Sequence, residues 1–156
     1  MKIKIIQIGK IKERYIQEGV AEFLKRLKPF VNLEVIEIRE NPPSKTKNVQ
    51  DCLKMEAEQI AKYLKKDDFT VVLDETGGQM NSVGFAELIK KNKDSGRTLT
   101  FIIGGPYGLS EEIKKVGNMS LSLSKMTFTH QMVRLFLLEQ IYRGLSIMMG
   151  KSYHNE

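Results

Sequence analysis

The chain has little of several residue types on which common kinds of protein depend. Its single cysteine, Cys52, has no second cysteine with which to form an internal disulfide. One cysteine and two histidines are too few for a usual structural zinc site, so no metal is expected. No apolar stretch is long enough to cross a bilayer, and lysines interrupt the apolar start, so neither a membrane partner nor a secretory signal is predicted. These absences favour a protein of the reducing cytoplasm.

The rest of the composition is typical of a globular protein. The 156 residues are 41% hydrophobic and 28% charged, which fits one ordinary domain spanning residues 1–156. The net charge is +6, and residues 113–156 hold six lysines and arginines against two glutamates, a net charge of +4. A basic segment is typical of RNA-binding proteins, but it also serves solubility. Charge alone does not decide between the two.

Apolar runs alternate with segments of helical periodicity along the whole chain. Strands are predicted at residues 2–9, 33–38, 69–73, 99–103 and 119–123. Helices are predicted at residues 13–27, 49–64, 82–91 and 130–149, with a short one after Ser110. The alternation predicts an α/β fold with a mainly parallel sheet and helices on both faces. The polar loop at 40–48, with two prolines, is predicted to be mobile.

Ligands of parallel sheets bind beyond the carboxyl ends of the strands, and a glycine loop at 104–108 follows one such end. This loop lacks the spacing of phosphate-binding loops, and Glu111 and Glu112 at the start of the next helix would repel a phosphate. The loop therefore suits a nucleoside-like ligand without phosphates. An ordinary strand-to-helix turn would have the same composition.

A second strand end, at residues 121–130, offers backbone groups to an adenine edge, with Met126 and Phe128 to pack against its faces. The alternative is a plain connection in which Thr129 caps the last helix. That helix is too apolar for a single core-facing stripe, so we expect the core or a second copy to cover most of it.

Two arginines and the tail are further candidates. Arg134 has no acid at four-residue spacing and is the better functional candidate, whereas Arg143 either pairs with Glu139 or contacts RNA. The Tyr153-His154 pair either frays with the tail or meets an unpaired base.

In their order and spacing, residues 104–109, 121–130, 133–134, 142–143 and 153–154 resemble the RlmH family, and the likeness covers essentially the whole chain. The resemblance implies a SPOUT methyltransferase with a C-terminal trefoil knot, working as a homodimer. It implies that S-adenosylmethionine is used to methylate N3 of a pseudouridine in large-subunit ribosomal RNA, on the assembled ribosome.

The resemblance also assigns roles to residues. The cofactor would be bound by Leu73, Gly104, Leu123, Ser124, Lys125, Met126, Thr127 and Phe128. Beyond the resemblance, we expect His154, Tyr153 and Arg143 to orient the target base. Lys125, Arg134 and His130 would hold the RNA backbone or shape the site, and Lys151 is a further RNA-binding candidate. Some family members have an arginine where this chain has Asn155, so Lys151 or Arg143 of either subunit would take over its task. The alternative function is a non-catalytic RNA- or ribosome-binding factor on the same fold.

Overall fold

The sheet at the centre of the molecule has five strands, and every pairing between them is parallel. A computed structural model describes residues 1–154. The strands are β1 (Lys2–Ile8), β2 (Asn32–Ile38), β3 (Phe69–Gly78), β4 (Leu99–Ile103) and β5 (Met119–Leu121), and their order across the sheet is β2-β1-β4-β3-β5. The helices are α1 (Arg14–Leu27), α2 (Val49–Ala61), α3 (Ser82–Asp94), α4 (Glu111–Val116) and α5 (His130–Met148). The predicted single α/β domain with a parallel sheet is confirmed.

Alternating side chains of the central strands fill two apolar cores, one on each face of the sheet. On β1, Ile3 and Ile5 pack into one core with side chains of α1, α3 and α5. Ile6 and Ile8 of the same strand pack into the other core with side chains of α2 and α4. Strands with both faces buried read as continuous apolar runs, which is why β1 and β4 were recognisable in the sequence.

The amino ends of the strands are tied by a buried ion pair. The ammonium of Lys4 donates to a carboxylate oxygen of Asp68 at 2.9 Å, and the hydroxyl of Thr100 donates to the same oxygen at 2.9 Å. All three residues are buried. A buried pair survives only when its remaining polar atoms are satisfied, and Lys4 also donates to the Tyr63 carbonyl at 2.9 Å. This end of the sheet is therefore a structural anchor.

Strand β3 runs five residues beyond its predicted end. Leu73 and Gly78 both pair with Leu121 of β5, so residues 74–77 bulge out of the ladder. Gly77 approaches β5 so closely that a Cβ built on it would lie 2.7 Å from the carbonyl carbon of Ser120. The Gly77-Gly78 pair is thus part of a bulged strand.

The last helix, α5, packs against α1 and α3 and contributes Leu137, Leu138 and Ile141 to the core. Thr129 caps it, accepting a hydrogen bond from the N–H of Met132 at 3.3 Å. In the described part of the chain, no helix combines the length and the apolar character that a membrane span requires. The C-terminal trefoil knot stays a prediction.

Candidate functional site

A pocket of about 880 Å³ opens where the carboxyl ends of β3, β4 and β5 lie side by side. Its apolar walls come from side chains at these strand ends and on α5, including Leu73, Ile103, Leu121, Leu123 and Val133. The glycine loop and residues 123–128, except Lys125, also line the pocket. The size is that of a pocket for a ligand as large as a nucleoside carrying an amino acid.

The glycine loop folds back on itself beside the pocket. The N–H of Gly108 donates to the carbonyl of Gly105 at 3.0 Å, and Gly108 has a φ of +76°, a conformation that glycine adopts without strain. A Cβ added to Gly104 would lie 2.6 Å from the Gly108 carbonyl oxygen, so any side chain at residue 104 would force the loop apart. The composition of the loop is therefore set by its own close packing and by its approach to the pocket.

Residues 122–128 form the facing wall, shaped by their own hydroxyl groups. The Ser122 hydroxyl donates to the Ser124 carbonyl at 2.8 Å, and the Met126 N–H donates to the Ser124 hydroxyl at 3.0 Å. Thr127 joins this wall to the β3 bulge by donating to a carboxylate oxygen of Glu75 at 3.1 Å. Met126 is 75% exposed, which leaves its flexible thioether free to pack against a bound ring.

Asp74, in the bulge, pairs with Lys114 of α4 at 3.0 Å between Oδ2 and Nζ. Burial acts to raise the pKa of Asp74, but the hydrogen bonds from Lys114 and from the Thr76 N–H outweigh it and hold this pKa below the usual aspartate value. The same pair raises the pKa of Lys114. Both groups are therefore charged at neutral pH.

The charge of the pocket favours a cation over a phosphate. Of the described residues that line it, Glu13, Asp74 and Glu75 carry carboxylates, and the ammonium of Lys114 is engaged with Asp74. Burial, together with the nearby charges of Arg134 and Lys12, lowers the pKa of His130, so its imidazole is neutral at pH 7. A pocket with excess carboxylate, apolar walls and backbone edges suits a positively charged nucleoside-like ligand.

The first turns of α5 anchor the β1–α1 connection, which borders the pocket. The side-chain oxygen of Gln131 accepts hydrogen bonds from the N–H groups of Lys12 at 2.9 Å and Glu13 at 3.3 Å. One turn later, the guanidinium of Arg134 donates to the carbonyls of Ile8 and Gly9. Arg134 is 2% exposed, so of its two predicted roles the structure leaves no surface for RNA contact, and the residue is a buried clamp that shapes the site.

The tail lies on α5, away from the pocket. Arg143 pairs with Glu139 at 2.6 Å and also donates to the Tyr153 carbonyl at 3.3 Å. The Tyr153 hydroxyl donates to Glu139 at 3.2 Å, and Nδ1 of His154 lies 3.5 Å from the Arg143 guanidinium. The structure thus brings the three predicted target-orienting residues together, with Glu139 as a shared partner of Arg143 and Tyr153.

Not all of the predicted site residues lie at the pocket. Seven of the eight predicted cofactor residues line the pocket, while Lys125 is exposed outside it. His130 lines the pocket, but Arg143, Tyr153 and His154 do not. Lys151 lies over the ring of Phe30, 4.1 Å from its centroid. Asn155 lies outside the described residues.

Tyr15 is a pocket residue that the sequence interpretation missed. It is 63% exposed and lines the pocket with its neighbours Glu13 and Ile16. Its neighbours in the sequence could have indicated a binding role, because Lys10, Lys12 and Arg14 make this short segment strongly basic.

A family model described as "Predicted SPOUT methyltransferase" matches residues 1–154. The chain belongs to the SPOUT methyltransferase family. Near full-length relatives agree. The chain is 45% identical over 152 residues to a ribosomal RNA large subunit methyltransferase H from Caldicellulosiruptor bescii, covering 97% of this chain and 99% of the relative. It is 45% identical over 158 residues to the protein of that name from Halothermothrix orenii, covering 99% of each.

Solved structures of low sequence identity share the SPOUT fold. A probable methyltransferase from Bordetella pertussis Tohama I superposes with a TM-score of 0.59 at 8% identity, covering 92% of this chain and 93% of the other. The tRNA (m1G37) methyltransferase from Aquifex aeolicus gives a TM-score of 0.56 at 14% identity, covering 92% and 70%. At such identities the likeness concerns the fold and not the substrate.

Proposed function

We propose that the chain methylates N3 of a pseudouridine in large-subunit ribosomal RNA, using S-adenosylmethionine and acting on the assembled ribosome. The observation that carries this proposal is the convergence of the strand ends of β3, β4 and β5 on one carboxylate-rich pocket in a SPOUT methyltransferase. The names of its 45% identical relatives support ribosomal RNA as the substrate. The pseudouridine and the ribosome are expectations from the family resemblance.

The residues of the pocket fit this cofactor. The glycine loop and the wall at 122–128 offer backbone groups to an adenine, and the apolar strand ends offer it a surface. Because Lys114 neutralises Asp74, Glu13 and Glu75 give the pocket a negative potential that favours a sulfonium and an ammonium group. The cofactor, when bound, would supply a methyl group that is already activated on sulfur.

The task of the protein is then to align the base and to favour loss of the N3 proton. Positive charge near the imide stabilises its anion, and the pocket has such charge on the side of α5, where Arg134 lies near His130. His130 lines the pocket and is suited to shape it there. We assign no general base.

The tail residues do not line the pocket of their own chain. Val133 of α5 lines the pocket, and Arg143 lies 10 positions further along the helix, a distance of about 15 Å along its axis. Tyr153 and His154 are bound beside Arg143 and therefore lie far from the pocket of their own chain. We infer that the chain works as a homodimer in which Arg143, Tyr153 and His154 of one subunit face the pocket of the other.

Two measurements test the enzyme assignment. Calorimetry should show that S-adenosylmethionine binds to the protein alone, whereas a non-catalytic RNA-binding factor would give no heat. Mass analysis of ribosomal RNA should then show one methyl group fewer in cells that lack the gene. An unchanged methylation pattern would refute the proposed reaction.

The ribosome requirement has a separate test. Methyl transfer is measured on naked large-subunit RNA and on assembled ribosomes, both purified from cells that lack the gene. We expect transfer to ribosomes and little to naked RNA, because so small a protein has few contacts with which to select one nucleotide. Equal rates on both substrates would rule out the ribosome-specific part and leave the reaction intact.

A further inference from the structure

The connection between β1 and α1 contains a cluster of positive charge that the proposed reaction has not used. Residues 10–15, here called the basic loop, contain Lys10, Lys12 and Arg14 with a single acid, Glu13. All three cationic residues are exposed. Arg14 pairs with Glu18 at 3.0 Å, but its side chain is 90% exposed, and such a surface pair is weak enough to exchange for a phosphate.

The basic loop is held in place by bonds from two helices. Gln131 of α5 accepts the N–H groups of Lys12 and Glu13, and Gln17 of α1 donates to the Ile11 carbonyl at 2.7 Å. The clamp of Arg134 on Ile8 and Gly9 holds the segment that leads into the loop. These bonds fix the backbone from which the three cationic side chains project, and a backbone that is already ordered loses less entropy when a ligand binds.

Exposed aromatic rings stand next to these charges. Tyr15 is 63% exposed and Tyr107, in the glycine loop, is 53% exposed, and both line the pocket. The two loops are neighbours, because β1 pairs with β4 and a Cβ on Gly105 would lie 3.1 Å from a methyl carbon of Ile8. Cations that bind phosphates, beside tyrosines on which unpaired bases stack, are the features of a single-stranded RNA surface.

We propose that the basic loop and Tyr107 form the surface that receives the RNA strand carrying the target. Lys10, Lys12 and Arg14 bind backbone phosphates, and Tyr15 stacks on an unpaired base next to the target base. The surface ends at the pocket wall formed by Glu13, Tyr15 and Ile16, so a strand held there has its next base at the pocket mouth. This inference rests on the proposed function, which it extends by naming where RNA is bound.

The kinetic test replaces the three cations together, as Lys10→Gln, Lys12→Gln and Arg14→Gln. Methyl transfer is measured on ribosomes from cells that lack the gene, over a range of salt concentrations. Because glutamine cannot neutralise a phosphate, we expect KM for the ribosome to rise about 10- to 100-fold at low salt and to depend less steeply on salt. We expect kcat and the calorimetric affinity for S-adenosylmethionine to stay within about twofold, because none of these three side chains lines the pocket.

The chain offers a matched charge control at the opposite end of the strands. Lys62 and Lys66 follow α2, and Lys91 lies in the last turn of α3, so all three lie near the amino ends of strands and are exposed. Replacing these three by glutamine removes the same charge away from the pocket. If this control raises KM as much as the loop variant does, net charge alone explains the effect and the proposal is wrong.

The stacking part is tested with tyrosines. Tyr15→Ala should weaken binding of a fluorescent single-stranded, uridine-rich RNA about fivefold or more, and Tyr15→Phe should restore it, because phenylalanine keeps the aromatic face. Tyr63→Ala is the control, since Tyr63 is 43% exposed at the amino ends of the strands. Equal binding by Tyr15→Ala and the wild type would overturn the stacking role.

These arms separate the two proposals. If wild-type protein binds the RNA but methylates no ribosome, the proposed function fails. The RNA surface is then still tested by comparing the RNA affinity of the loop variant with that of the wild type. If the loop variant binds RNA like the wild type but has a weaker affinity for ribosomes, the loop docks on ribosomal protein and the RNA proposal is wrong. Unchanged affinity for both ligands also overturns it.

Discussion

Arg134 of α5 donates a hydrogen bond from Nη1 to the carbonyl oxygen of Gly9 at 3.0 Å, and a second from Nη2 to the carbonyl of Ile8. These bonds join the start of the last helix to the end of the first strand across 125 positions of sequence. The guanidinium is buried, and its two bonds fix the end of β1, from which the basic loop continues. An arginine that was a candidate for RNA contact thus contributes to the shape of the protein.

Replacing Arg134 with alanine should therefore destabilise the fold. Two buried carbonyls would lose a charged donor and a cavity would remain, at a cost of about 2–4 kcal/mol in the free energy of unfolding. Urea unfolding followed by circular dichroism measures it. Arg14→Ala is the control, with a side chain 90% exposed and an expected change within about 0.5 kcal/mol. If Arg134→Ala kept the stability of the wild type but bound RNA more weakly, Arg134 would contact RNA directly and its role as a buried clamp would be contradicted.

Gly104→Ala should disable the cofactor pocket without a general loss of structure. The new Cβ would lie 2.6 Å from the Gly108 carbonyl oxygen, so the glycine loop would have to move away from its folded position. We expect the calorimetric Kd for S-adenosylmethionine to rise roughly tenfold or more. Gly78→Ala is the matched control, because its nearest contact would be the Ser120 carbonyl at an ordinary 3.9 Å. Equal affinity in both variants would argue against the glycine loop as part of the cofactor site.

The tail should affect methyl transfer and not cofactor binding. His154 contacts Arg143 and does not line the pocket of its own chain. We expect His154→Ala to lower kcat about 10- to 100-fold by loosening the target base, with the Kd for S-adenosylmethionine within about twofold of wild type. Ser152→Ala, two positions earlier and exposed, should leave both quantities unchanged. A large loss of cofactor affinity in His154→Ala would place the tail in the cofactor pocket instead.

The sequence predicted the elements whose residues carry a local signal. Continuous apolar runs marked β1 and β4, and the short helix predicted after Ser110 is present. Thr129 caps α5, as the alternative interpretation of residues 121–130 expected. The bulged end of β3 was missed because it depends on pairing with β5, 43 positions away from Gly78. The burial of Arg134 and the exposure of Tyr15 were missed for the same reason. Each depends on a contact between distant segments, which residue spacing does not encode.

Glu56 gives a prediction that links the loop at residues 40–48 to pH. It is buried on α2, and its carboxylate accepts the N–H of Asn41 at 3.3 Å. Burial raises the pKa of Glu56 above the usual 4.5, with the charge of Glu40 adding to the shift and the bond from Asn41 opposing it. A raised pKa means that the folded state holds the proton more tightly than the unfolded state. The contribution of Glu56 to stability is therefore greatest below 4.5 and is lost as pH rises through the folded pKa.

Glu56→Gln removes this charge and keeps an oxygen that can accept the Asn41 N–H. We expect the variant to unfold at higher urea than the wild type at about pH 8, and the difference to shrink towards zero at about pH 4, where both states of the wild-type residue are protonated. Glu58→Gln, on the exposed side of the same helix, should show no such trend. A difference that is constant with pH would mean that Glu56 acts through packing. A difference that vanishes near pH 4 would show that a buried charge sets the stability of the Asn41 end of the loop.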